Sequence, residues 1–172
     1  MSVRGFFAAL IPALAAAAAP WDEEPAPGSR FDTLDHQRYA CAARADQIRC
    51  RLHPGQGIEL GGIAALGRTL VYREDRLVSG CTLFDERRFG ELLSSIEASH
   101  GPAEHSTELL RAGMGGVFSN ALAVWRPEGK IVLLEEHFER VTQSAVCVME
   151  PEFFSAQSAA RDRQRVRGVR DL

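Results

Sequence analysis

Cysteine is scarce in this chain, four in 172 residues, and no two of them form a C-x-x-C pair, so a dithiol redox centre has no motif to stand on. There is no G-x-S-x-G and no S-x-x-K, which leaves serine-nucleophile hydrolysis without its signatures. A phosphate-binding loop is missing too. Gly113-Met114-Gly115-Gly116 is rich in glycine, but it opens no predicted helix and no Lys-Ser/Thr follows it. Nor is there an excess of charge of one sign: the net charge is −3, so no global field draws the chain to nucleic acid or to an anionic surface.

What the chain does have is an unusual beginning. MSVRGFFAALIPALAAAAAP places one arginine ahead of an apolar run, Phe6–Ala15, and ends in small residues. That is the pattern of a secretory signal peptide, with Ala16-x-Ala18 as the cleavage site. The run is too short and too rich in alanine for a stable membrane span, which leaves an uncleaved anchor as the less favoured alternative. Removing residues 1–18 takes away one arginine and no acid, moving the net charge from −3 to −4. No cysteine lies near the cut, so a lipid anchor is not expected. Residues 19–30, with WDEEPAPGSR (Trp21–Arg30), combine acids, prolines and glycine without periodicity and read as a flexible leader. A single domain is expected over 31–160 and a basic tail over 161–172.

Export changes how four cysteines are read. In a periplasmic or secreted protein an even number suggests disulfides, and four allow three pairings. YACAARADQIRC (39–50) can be a helix, which its alanines favour, or a hairpin. A helix would set residues nine apart about 13 Å from each other along its axis. A hairpin turning near Ala45-Asp46 would put Cys41 directly opposite Cys50, close enough to bridge. The hairpin is the preferred reading. Cys81 and Cys147 fall in the middle of two later strand patterns and can pair across a sheet. In the chain-entropy view the long closure stabilises by roughly 4 kcal/mol and the short one by about 2.5–3 kcal/mol.

Further strand patterns follow at Ile58–Ala64, Thr69–Arg73, Leu77–Phe84, Ala121–Arg126, Lys130–Phe138 and Ser144–Glu150, joined in part by the turns Glu74-Asp75-Arg76 and Pro127-Glu128-Gly129. Between them Phe89, Leu92, Leu93 and Ile96 recur at helical spacing behind Asp85, a natural N-cap. His100-Gly101-Pro102 ends that helix. Pro151 opens a last helix through about Arg163, with Phe153 and Phe154 as its apolar contacts. Strands grouped in runs imply an α+β domain: an antiparallel sheet with one amphipathic helix packed on it and a C-terminal helix, held by disulfides.

Two stretches, VYREDRLVSGCTLFDERRFGELLSSIEASHGPAEH (71–105) and ALAVWRPEGKIVLLEEHFERVTQSAVCVMEPEFF (121–154), resemble a group of small exported proteobacterial proteins that has no established activity. The likeness covers about residues 58–155; His100 stands where that group usually has an aromatic before Gly101-Pro102. At the level of topology the layout is also similar to β-lactamase-inhibitor proteins and to small outer-membrane assembly lipoproteins. These resemblances imply a compartment and a fold, and carry no catalytic residue.

Few side chains are candidates for chemistry. His100 and His105 with Glu104 and Glu108 are the best metal-ligand cluster, and Glu135 and His137 are further candidates, yet Gly101-Pro102 breaks any fixed spacing between His100 and His105, and none of the spacings fits a standard site. Glu135 and His137 would share one face of a strand. Glu135 and Glu136 would face opposite sides, so they cannot act as a carboxylate pair. The five arginines of 161–172 lack interleaved aromatics and read as a solvated helix end rather than a nucleic-acid platform. The expectation is an exported, non-catalytic domain that binds or inhibits a protein or small ligand of the cell envelope, with no cofactor. A small metal-dependent or hydrolytic enzyme and a structural envelope-stability factor are the alternatives.

Overall fold

The computed structural model describes residues 25–111 and 116–170. The signal segment expected at 1–18, residues 19–24 of the leader, Gly113–Gly115 and the end of the basic tail lie outside the described residues. In chain order the elements are β1 (Tyr39–Arg44), β2 (Gln47–Leu52), β3 (Glu59–Leu60), β4 (Ile63–Ala64), β5 (Gly67–Arg73), β6 (Arg76–Asp85), α1 (Phe89–His100), β7 (Glu104–Arg111), β8 (Val117–Trp125), β9 (Ile131–Glu135), β10 (Gln143–Met149) and α2 (Pro151–Arg170). Eight strands form one sheet in the order β1-β2-β5-β6-β10-β9-β8-β7, and every ladder in it is antiparallel. The chain thus lays down two meanders that meet where β6 pairs with β10.

Alternation along the central strands sorts side chains onto two faces. Val146 and Val148 of β10 join Phe84, Trp125, Val132 and Leu134 in a core that receives Leu92 and Ile96 from α1. Ala145, Cys147 and Met149 face the other way, with Leu122, Leu133 and Phe153 of α2. The two helices therefore lie on opposite faces of the sheet. A third cluster, Leu34, Tyr39, Cys50, Leu70, Tyr72 and Leu77, continues the α1 side beneath residues 31–38. Burying Leu92, Ile96 and their half-buried neighbours Phe89 and Leu93 is worth roughly 6–10 kcal/mol gross.

Both cysteine pairs are disulfides, Cys41–Cys50 and Cys81–Cys147, each with its Cα atoms 4.0 Å apart. Each pair is also a register pair of its ladder. The 39–50 stretch is the hairpin, not the helix, and turns through Ala45, whose φ is 50°.

Several boundaries differ from the sequence patterns. Ile58–Ala64 is not one strand: Gly61 and Gly62 take φ of 56° and 79°, folding it into the two-residue strands β3 and β4. β8 begins at Val117 rather than Ala121, and β7 forms where no strand pattern was expected. Asp85 caps a 3-10 turn over Glu86–Arg88, accepting from the Arg87 amide at 3.0 Å, and α1 starts only at Phe89. α2 runs on to Arg170. The part of the leader within the described residues is tied down: the Gly28 amide donates to Leu77 O at 2.8 Å, and the Leu77 amide donates to Ser29 O at 2.8 Å. Residues 28–30 fill the place beside β6 that β10 leaves when it ends at Met149, since a bare strand edge there would leave backbone groups unpaired. Inside the sheet Gly80 leaves room for its neighbours: a Cβ there would meet Leu70 at 3.3 Å and the Arg68 guanidinium at 3.7 Å.

Candidate functional site

β7 and β8 carry the sheet outward past the end of β9, and α2 lies across their inner face. Between helix and strands is a cleft of about 260 Å³. Its floor is Leu122, Val124 and Leu133; Phe154, Gln157, Ser158 and Arg161 of α2 form one wall, and Glu104, Ser106 and Glu108 of β7 the other.

A buried polar network closes one end. Glu135 ends β9 opposite Leu122, and because sheet and helix cover that face it is only 4% exposed. A carboxylate in such a place must be matched by donors. Arg161 supplies two, Nη2 to Oε2 at 2.9 Å and Nη1 to Oε1 at 3.3 Å, and Asn120 Nδ2 supplies a third at 3.0 Å. Asn120 is wholly buried, and its Oδ1 accepts from the His137 amide at 2.8 Å, so one side chain joins β8, β9 and the segment after β9. Arg161 also stands 3.9 Å from Glu108 Oε2. At the other end Arg126 reaches Glu104 at 3.3 Å and lies 5.7 Å from the Phe154 ring centroid, a cation–π distance.

The metal candidates do not come together: Glu104 faces Arg126 and Glu108 faces Arg161. His105 pairs with Glu97 of α1 at 3.0 Å, on the sheet face opposite Glu135. His100 is the last residue of α1, above the Gly101 whose carbonyl accepts from Trp125 Nε1 at 3.0 Å. His137 lies outside β9, so it shares no strand face with Glu135; its Nδ1 is buried without a hydrogen-bond partner among the described residues. Among those residues no three His, Cys, Asp or Glu side chains are placed to hold a metal ion. Glu136 turns to the Ala121 amide at 2.9 Å.

Two titratable groups with displaced pKa values lie elsewhere. Burial, aided by nearby Tyr39, pushes the Tyr72 phenol up to about 12, against a smaller opposing pull from Arg68. Hydrogen bonds from Arg87 hold Asp85 down at about 2. Neither value is near neutrality, where a general acid or base works best. Arg161 is the residue whose sequence context misleads most: the composition of 161–172 assigns it to solvent, yet its side chain is two-thirds covered and bound to Glu135. Asn120 and Arg126 were likewise not among the candidates. The one readable hint was an acid at the end of the apolar run Ile131–Leu134, a position that demands a buried partner.

No family model matches this chain, and neither a curated protein nor a solved structure shows significant similarity to it. The reading of the site therefore rests on this chain's own residues.

Proposed function

We propose that the protein is an exported, non-catalytic recognition domain, periplasmic or secreted, that binds or inhibits a protein of the cell envelope through the cleft beside α2. One observation carries this: the ionisable groups around the cleft are engaged with one another, Arg161 with Glu135 and Arg126 with Glu104, instead of converging on a point where a substrate atom could react. A cleft of about 260 Å³ falls just below the usual range for small-molecule sites and suits a single large side chain of a partner, set on Leu122, Val124 and Leu133. Two disulfides favour an oxidising compartment, in line with the signal pattern of residues 1–18 and the resemblance of residues 58–155 to exported proteins. No helix among the described residues is long and apolar enough to cross a membrane.

The test is capture from envelope extract by the oxidised chain lacking residues 1–18, beside its Phe154→Ala and Arg126→Glu variants. A protein recovered by the unmodified chain and lost by both variants is the expected result. Equal recovery by all three, or a hydrolytic activity abolished by Glu135→Gln, would overturn the reading.

A further inference from the structure

We propose that β1 is a strand-addition site for an extended acidic segment of a partner protein. This concerns the sheet edge opposite the cleft and does not depend on the cleft's role. A sheet edge offers a row of unpaired N–H and C=O groups, and proteins blunt such edges with charge, proline, bulges or a covering element. β7, at the far edge, carries Glu104 and Glu108. Among the described residues β1 has none of these devices between Tyr39 and Arg44: it reads Ala-Cys-Ala-Ala, its register with β2 is unbroken over six pairs, and five of its six residues are exposed.

The register fixes which backbone groups face outward. Cys41 and Cys50 are opposed at 4.0 Å between Cα atoms, the close spacing of a pair that exchanges no hydrogen bonds. The amides and carbonyls of Tyr39, Cys41 and Ala43 therefore point away from β2, and the disulfide holds them in extended geometry before any partner arrives. Such preorganisation lowers the ordering cost of binding.

Charge selects the partner. Arg49 and Arg51 of β2 stand opposite Ala42 and Ala40, on the same face as Arg44. Arg44 and Arg49 make no side-chain ion pair or hydrogen bond among the described residues, while Arg51 reaches only Glu139, at 3.9 Å. An added strand would lie about 9.6 Å from β2, two strand spacings, which arginine and glutamate side chains together span across the alanine methyl groups. Carboxylates at alternate positions of the added strand would all fall on this arginine face. Main-chain hydrogen bonds would supply affinity and the guanidiniums specificity, the usual division of labour in strand addition.

The probe is a labelled eight-residue peptide of alternating Val and Glu, followed by fluorescence anisotropy with amide exchange read on the oxidised protein. Binding that slows exchange at Cys41 and Ala43, and a Val-Lys peptide at least tenfold weaker, is the expected result. Arg44→Glu/Arg49→Glu should reverse that preference, and Ala43→Pro, which removes one outward N–H, should weaken binding at least tenfold. The arginine variant alters only exposed side chains, so it decides the question should the proline variant not fold. Absence of binding by the acidic peptide, unchanged binding to the arginine variant, or protection appearing at β7 in place of β1 would overturn the proposal.

Discussion

Replacing Arg161 by methionine keeps most of the side-chain volume on α2 while removing both guanidinium bonds to Glu135. The carboxylate would keep one neutral donor, Asn120 Nδ2, in a place where its side chain is 6% exposed. Removing one partner of a fully buried ion pair costs about 3–5 kcal/mol, because the remaining charge is left desolvated. Arg161 keeps a third of its own side chain in water, so solvent can approach the vacated position, and the expected loss is near the lower bound, about 3 kcal/mol. With a urea m-value of about 2 kcal/mol/M this lowers the midpoint by about 1.5 M. Urea unfolding of the oxidised protein, followed by fluorescence of the buried Trp125, measures it. Glu135→Gln in the same background removes the stranded charge and should recover at least half of the loss. An Arg161→Met variant that loses less than about 1 kcal/mol, or a double variant no better than the single, would show that the pair is not a desolvated one and that the end of the cleft is wet.

Tyr72 is 1% exposed and its hydroxyl has no hydrogen-bond partner among the described residues, so Tyr72→Phe should leave stability unchanged or raise it by about 1 kcal/mol. Because its folded pKa is raised from 10.0 to about 12, its contribution is present below pH 10 and lost as pH climbs through about 12; the phenylalanine variant should lack that alkaline loss in urea midpoints. Among the disulfides, Cys81→Ala/Cys147→Ala should cost about 4 kcal/mol and Cys41→Ala/Cys50→Ala about 2.5 kcal/mol, since the first closes 66 residues and the second nine. Equal losses in thermal unfolding would point to local packing instead of loop closure.

How legible was this molecule in its sequence? The two-residue steps of Tyr39 and Cys41 and of Ile48, Cys50 and Leu52 led to the hairpin and its register, because in β2 these residues face inward while Arg49 and Arg51 face solvent. Val146 and Val148 against Ala145, Cys147 and Met149 were separable for the same reason. β7 was not, since Glu104–Arg111 lies at an edge, where Glu104–Thr107 and Leu109 are exposed and no side must be apolar. The first half of β8 hid likewise: Val117–Ser119 pair only with β7 and are exposed. The cleft was less visible still. Its network joins Glu108, Asn120, Glu135 and Arg161, residues up to 53 positions apart on four elements, and no local spacing encodes such a meeting.

The meeting of the two meanders also sets a timetable. Every ladder but one joins strands that are near neighbours in sequence, so each can close within microseconds once its residues are together. The β6–β10 seam must wait for residues 143–149, which follow β6 by 58 or more positions. A chain delivered from its N-terminus would complete the first meander while the edge of β6 that pairs with β10 was still open. In that interval Cys81 is a thiol without its partner and the open edge can pair with another chain, so folding of this protein should be sensitive to anything that occupies an open strand edge before the second half arrives.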